Sequence, residues 1–424
     1  MTKIFFAGHT GVRKEAVLKA LASEIERHYP QYTNLVKVYP LEEYIKRASG
    51  EDPKQFPGMP SLGRMRAAWE KGWEELTRTI TCENPKGCSL VSAHLVFYRF
   101  ARFAAPARLD LIADWQPDAV VTLIDDSFAV RGRTTEKEYN FTLRELYTWR
   151  MAEWVMADQL AWMAGKARHA RVTSQRPPKH IPNFLSSVKQ PVHMLFRLLF
   201  QEDKFRRVYA SFPITQTRNT QEMKEQINGF RRRLHRLFIV FDPLTIDERI
   251  METWAAEAKA AERPRDRVRI DFKIGPAHRW DCRVNAASDA GNYAPLLWDD
   301  DIEKPIEIPV SEIEELRERR LEEESDIDEQ ITSRDYRLVD QAEAVICYQP
   351  YYLGRAHGGV DAEIGHANTS TTPVYAFSSY PKPHGPLKGK IDFIYPEEAD
   401  FWTAIERLSQ TPPDLPLREG RRWF

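Results

Sequence analysis

The chain alternates short, wholly apolar runs with longer stretches of helical periodicity, and this alternation leaves few folds open to it. The apolar runs are Lys3-Ile4-Phe5-Phe6-Ala7, the stretch Asp118–Asp126, Val208–Phe212, Phe238–Phe241, Ala344–Tyr348 and Pro373–Phe377. A strand with one wet face alternates apolar and polar residues, whereas a strand covered on both faces reads as a continuous apolar run. The intervening stretches space their apolar residues three and four apart, as at Ala16, Val17, Ala20, Leu21 and Ile25. That spacing makes an amphipathic helix. Strand and helix in turn predict an α/β chain of parallel sheets flanked by helices, a three-layer αβα arrangement.

With 424 residues the chain is too long for one ordinary core, so two different α/β domains are expected. The first spans 1–172. Pro177, Pro178, Pro182 and Pro191 break regular structure, and a linker is placed at 173–204. The second domain spans 205–400, with a polar, poorly periodic insertion at 250–330 and a tail at 401–424. Within it a charged helix is expected from Ser311 to Gln330, and a further helix starting at Asp335. Arg231-Arg232-Arg233-Leu234-His235-Arg236 reads as the solvated face of a helix. The tryptophans of 149–162 fall at helical spacing and read as core.

Basic and acidic residues nearly balance, 61 against 62, so no nucleic-acid partner is expected. No run of 18 apolar residues predicts a membrane span, and the start Met1-Thr2-Lys3 has no signal-peptide pattern. A cytoplasmic protein is the expectation. Four cysteines do not make a disulfide framework, and no metal site is expected from them.

Two constellations carry chemistry. Near the start, Gly8-His9-Thr10-Gly11-Val12-Arg13-Lys14 joins a strand to a helix. Backbone N–H groups of such a turn can wrap a phosphate while a lysine reaches its outer oxygens. Asp125 ends the strand at 118–126, and Arg131 and Arg133 follow it as candidate phosphate clamps. Two positions depart from a phosphate loop. Arg13 stands where a second glycine is usual, and Glu15 where a hydroxyl holds magnesium. His94 reads as a partly buried histidine satisfied by its surroundings.

In the second half, Tyr209 lies on an apolar strand, and Asp335 precedes the strand 344–348. Glu363 is expected to open a helix, where the positive end of the helix dipole favours the ionised carboxylate. Cleavage of a base–sugar bond needs such a carboxylate at C1′, an acid to assist the departing base, and a group that positions the sugar.

The segment 8–14 resembles the phosphate loop of small nucleoside and nucleotide kinases, over perhaps 1–170. That resemblance implies nucleotide binding by Gly8, Gly11, Arg13, Lys14, Asp125, Arg131 and Arg133, with ATP or GTP and Mg2+ as candidate ligands. Tyr209, Asp335, Gly359, Glu363, Gly365, Ala367, Pro373 and Val374 match the pattern of the nucleoside 2-deoxyribosyltransferase superfamily, over about 205–385. The resemblance implies a flavodoxin- or Rossmann-type domain in which Glu363 is the nucleophile, Asp335 the proton-handling acid and Tyr209 a positioning group. No cofactor is implied for that step, and a homo-oligomer is. Ser211, Arg218, Arg355, His357 and Gly359 are expected to contact a nucleoside or nucleotide substrate. Either hydrolysis or transfer of the sugar fits. The rival expectations are a nucleotide-sensing regulator with little turnover and a bifunctional salvage kinase.

Overall fold

The computed structural model divides the chain into two units, Met1–Val188 and Lys189–Phe424. It describes all residues except 1, 59–60, 85, 100–101, 138, 172–180, 215–217, 219, 274–298, 319–325, 353–354, 357, 381–384 and 412–424.

In the first unit β1 (Thr2–Ala7), β2 (Val36–Pro40), β3 (Cys88–Ser92), β6 (Ala119–Ile124) and β7 (Asn183–Ser187) form one sheet in the order β2-β3-β1-β6-β7. Every neighbouring pair is parallel. A short antiparallel hairpin, β4 (Phe97–Arg99) and β5 (Arg102–Ala104), lies outside it. All residues of β6 are buried, as its unbroken apolar run requires. The helices Leu41–Ser49 and Leu62–Glu83 meet closely at Gly72. A Cβ there would stand 2.5 Å from Ile45 Cγ1 and 2.7 Å from its Cα.

The described part of the stretch expected as a linker is structured. Asn183–Ser187 is the edge strand β7, in register with Val120–Ile124. Pro182 does not prevent this, because its carbonyl accepts from Val120 N at 2.9 Å and its missing N–H falls before the ladder. Val192–Phe200 is a helix whose Met194 joins the second unit's core. The division therefore falls at a point, between 188 and 189, while 172–180 lies outside the described residues.

In the second unit β8 (Arg207–Ser211), β9 (Ile239–Phe241), β12 (Ala344–Tyr348), β15 (Val374–Phe377) and β16 (Phe393–Tyr395) form a wholly parallel sheet, ordered β9-β8-β12-β15-β16. Numbered among themselves the strands run 2-1-3-4-5, a doubly wound order whose switch point lies between β8 and β12. Side chains alternate along β8. Val208 and Ala210 enter a core with Phe230, Leu234, Phe401 and Trp402, which leaves Tyr209 and Ser211 for the opposite face. The described part of the expected insertion is folded. It holds helices Ile250–Ala260 and Val310–Arg317 and an antiparallel pair, β10 (Arg267–Ile270) with β11 (Ile306–Pro309).

Three further expectations change. The charged helix ends at Arg317, and a second helix runs Asp326–Asp340, so Asp335 sits in its third turn and not at its start. Residues 401–410 belong to the helix Glu398–Gln410, which buries Phe401, Trp402 and Ile405. Arg231 is not solvated: it is 1% exposed and its Nε donates to Asp242 at 2.7 Å. Burial would raise the Asp242 pKa, but Arg231 and His235 hold it down to about 2. Among the described residues no helix is long and apolar enough to cross a membrane.

Candidate active site

Strand alternation and one helix bring the expected catalytic residues of the second unit together. Tyr209 and Ser211, two apart on β8, both face the helix Gly358–Thr369. The Tyr209 hydroxyl donates to Glu363 Oε1 at 2.8 Å, and the Ser211 hydroxyl to Oε2 at 2.5 Å. Each carboxyl oxygen thus has its own donor, and the side chain is fixed. Cys347 pairs with Ser211 across the sheet, and burial pushes its thiol pKa up.

Glu363 does not open its helix. The helix starts at Gly358, so the carboxyl stands in the second turn, where the terminal dipole has faded. Burial dominates instead, and the negative charge of Asp335 adds to it. Ser211, Tyr209 and Arg334 pull the other way, and the Glu363 pKa settles at about 8. Asp335 is also raised: burial outweighs the Arg334 guanidinium, which holds its Oδ1 at 2.8 and 2.9 Å. Burial and the two nearby carboxyls keep the Tyr209 phenol well above its ordinary value, so it stays a donor. Two carboxyls whose charges oppose one another retain a shared proton near neutrality.

The pair opens on a cavity of about 260 Å³, walled by Phe212, Pro213 and Ile214 on one side and Tyr336 on another. Gly359 and Arg218 also line it. Arg218, expected to meet a phosphate, is paired with Asp247 through both guanidinium nitrogens at 2.6 and 2.8 Å. The Arg355 side chain and His357 lie outside the described residues. A clamp holds the helices Asp326–Asp340 and Gly358–Thr369 together. His366 stacks on Tyr336 with ring centroids 4.1 Å apart and places Nε2 2.8 Å from Asp340.

Arg334 has a place in the site that the sequence analysis did not assign to it. It bonds Asp335 and also the Ile246 carbonyl at 3.0 Å, so it ties the Asp326–Asp340 helix to the segment after β9. Its position next to Asp335 was the available signal. Asp247 carried none, because its role exists only through Arg218.

In the first unit the turn 8–14 crosses the carboxyl end of β1. Gly8 has φ 148°, and a Cβ there would lie 2.8 Å from Leu123 O; Gly11 has φ 82°. Arg13, in the place of a usual glycine, adopts φ 56° and ψ 38°, a left-handed backbone that disfavours side chains. The expected phosphate groups turn inward. Lys14 Nζ donates to Gly8 O at 2.7 Å and lies 3.2 Å from His94 Nε2. Arg133 pairs with Asp125 at 2.6 Å and donates to Gly11 O at 3.1 Å, bracing the loop from beneath. Arg131 is half-buried on the same helix, Ser127–Thr135. Glu15 pairs with Lys19 at 2.5 Å.

His94 is largely buried and has polar partners around its ring. It stands 3.5 Å from Glu153 and 3.7 Å from Glu42, beside Lys14. Burial lowers the Lys14 pKa and raises those of Glu42 and Glu153, the last to about 7. Trp149, expected as core, is buried yet lines a cavity with these groups.

No family model matches the chain, and no curated protein matches it. Among solved structures, a putative UDP-N-acetylglucosamine 2-epimerase from Listeria monocytogenes aligns over 96% of this chain and 88% of that one. It is 10% identical, with a TM-score of 0.19, a likeness too slight to bear on fold or activity.

Proposed function

We propose that the second unit cleaves the bond between a base and a sugar, as a nucleoside or nucleotide N-glycosidase or deoxyribosyltransferase with Glu363 as nucleophile. One observation carries the reading: a buried carboxyl, held by donors on both oxygens, opens with a second carboxyl onto a cavity. In the reactive form the shared proton sits on Asp335 and Glu363 is ionised. Glu363 attacks C1′, the C1′–N bond breaks, and its electron pair leaves with the base. Asp335 delivers its proton to the base nitrogen. Water, or a second base, then attacks C1′ and frees Glu363, with Asp335 taking up the proton. Tyr209 and Ser211 hold the nucleophile in line and steady its charge. Arg334 sets how readily Asp335 gives up its proton.

For the first unit the reading is nucleotide binding with little phosphoryl transfer. Glu15 stands where a magnesium-holding hydroxyl is needed, and Lys14 is turned back on the loop carbonyl.

The test is chromatographic detection of free base after incubation with nucleosides, nucleoside monophosphates and NAD. Wild type should release base from at least one, and a Glu363→Ala variant from none. A folded wild type that releases no base from any of them defeats the glycosidic reading.

A further inference from the structure

Beside the glycine turn, the first unit encloses a cavity of about 300 Å³ that the glycosidic chemistry does not use. Four aromatic rings line it, Phe97, Tyr139, Phe141 and Trp149, together with Thr10, Pro53, Lys54 and Lys137. These rings are fixed in place. Trp149 Nε1 donates to Val96 O at 2.8 Å, the Tyr139 hydroxyl donates to Lys54 O at 2.8 Å, and Phe141 meets Trp149 edge-on at 5.4 Å. A slot built in advance loses little entropy when a flat ligand enters.

Glu42 and His94 also line the slot. Behind them lie Lys14 and Glu153. Glu153 accepts from the backbone of Leu95 at 3.1 Å and of Val96 at 3.4 Å, which fixes the segment that carries His94 and Phe97. Ordinary core packing gives no reason for four ionisable groups here, because burying charge is unfavourable unless something recovers it. Glu42 is the least satisfied of them. Its Oε1 is sealed from solvent with no hydrogen-bond partner, while the side chain as a whole is 30% exposed and lines the cavity. The carboxyl is a strong acceptor in the wall of the slot.

We propose that this cavity binds a planar heteroaromatic ring with an N–H donor edge, the ring lying against Phe97, Phe141 and Trp149 and the edge meeting Glu42. The site rests neither on the glycosidic reading nor on phosphate capture by the turn 8–14. Of its lining residues Thr10 belongs to that turn, whereas Glu42 and the aromatic rings belong to neither.

Calorimetric titration tests it, with adenosine, cytidine and guanosine as probes and their N,N-dimethylated amino counterparts as controls. Binding is measured in the Glu363→Ala protein so that no probe is consumed. At least one nucleoside should bind saturably, and its dimethylated counterpart about tenfold or more weakly, about 1.4 kcal/mol. Adding Glu42→Gln should weaken the nucleoside by a similar factor while leaving the melting temperature in place. The dimethylated probes need no further variant, so misfolding cannot imitate their result. Failure of all three nucleosides to bind, a blocked probe that matches the Glu42-dependent part of the binding, or indifference to Glu42→Gln would each overturn the proposal. Base release by protein carrying only Glu42→Gln is read separately and should match wild type, so this site and the Glu363 chemistry succeed or fail independently.

Discussion

The Glu363→Gln substitution should make the second unit's stability less sensitive to alkali, by an amount that follows from the site. An unperturbed glutamate ionises near 4.5, whereas Glu363 keeps its proton to about 8. Between those values the folded chain holds a proton that the unfolded chain has lost. Stability from this group is therefore complete below 4.5 and falls as pH rises, by about 1.4 kcal/mol per pH unit, until the folded group ionises. Between about pH 6 and pH 8 the loss reaches about 2–3 kcal/mol. The amide does not titrate, and it fits the same partners: its oxygen accepts from Tyr209, and its nitrogen donates to Ser211 Oγ. At about 2–4 °C per kcal/mol for a unit of this size, the variant's melting temperature should gain about 5–10 °C on wild type across that interval. The assay is thermal unfolding of both proteins at matched pH, reading only their difference, in which titrating groups remote from the Glu363–Asp335 pair cancel to first order. A difference that stays flat from pH 6 to pH 8, or narrows, refutes the account of Glu363 as a buried carboxyl that resists ionisation.

Three other substitutions probe separate parts of the molecule. Asp335→Asn removes the proton donor and should lower kcat/KM for base release about 10²- to 10⁴-fold; a loss under about tenfold would remove Asp335 from the chemistry. Arg334→Met strands Asp335 without its cation and should destabilise the second unit by about 3–5 kcal/mol, with the double variant Arg334→Met, Asp335→Asn recovering part of it in urea unfolding. Gly72→Ala forces a methyl into Ile45 and should cost the first unit about 1–3 kcal/mol, seen as a lower melting temperature; an unchanged value would mean the two helices separate freely.

The strands β1, β6, β8, β9, β12 and β15 were legible because burial on both faces writes itself as an unbroken apolar run. Tyr209 and Glu363 were joined in one site by the family pattern, and they meet because β8 pairs with β12 and the helix beyond β12 carries Glu363 to Tyr209. Local detail was less visible. The helix carrying Asp335 begins nine residues earlier, at Asp326, because solvated charged residues on both sides of 319–325 share one composition. Trp149 looks like any other member of a helical stripe, since its spacing does not reveal that a cavity lies at its end. Arg231 reads as surface because its partner, Asp242, becomes its neighbour only after the chain has turned back through β9. Prolines around 177–191 suggest an unstructured join, yet a strand needs only that its own ladder N–H groups be present.

That misplaced strand has a consequence for synthesis. β7 completes the first sheet, and the stretch that supplies it follows the long helix Leu143–Arg171. Until the ribosome has released residue 187, β6 has an unpaired edge, an apolar strand with its amide row open to any neighbouring chain. A nascent first unit therefore remains unfinished while translation is already moving towards the second. A fragment cut at residue 172, where the sequence invites the cut, carries that same open edge permanently and should precipitate, whereas one ending after Val188 should not.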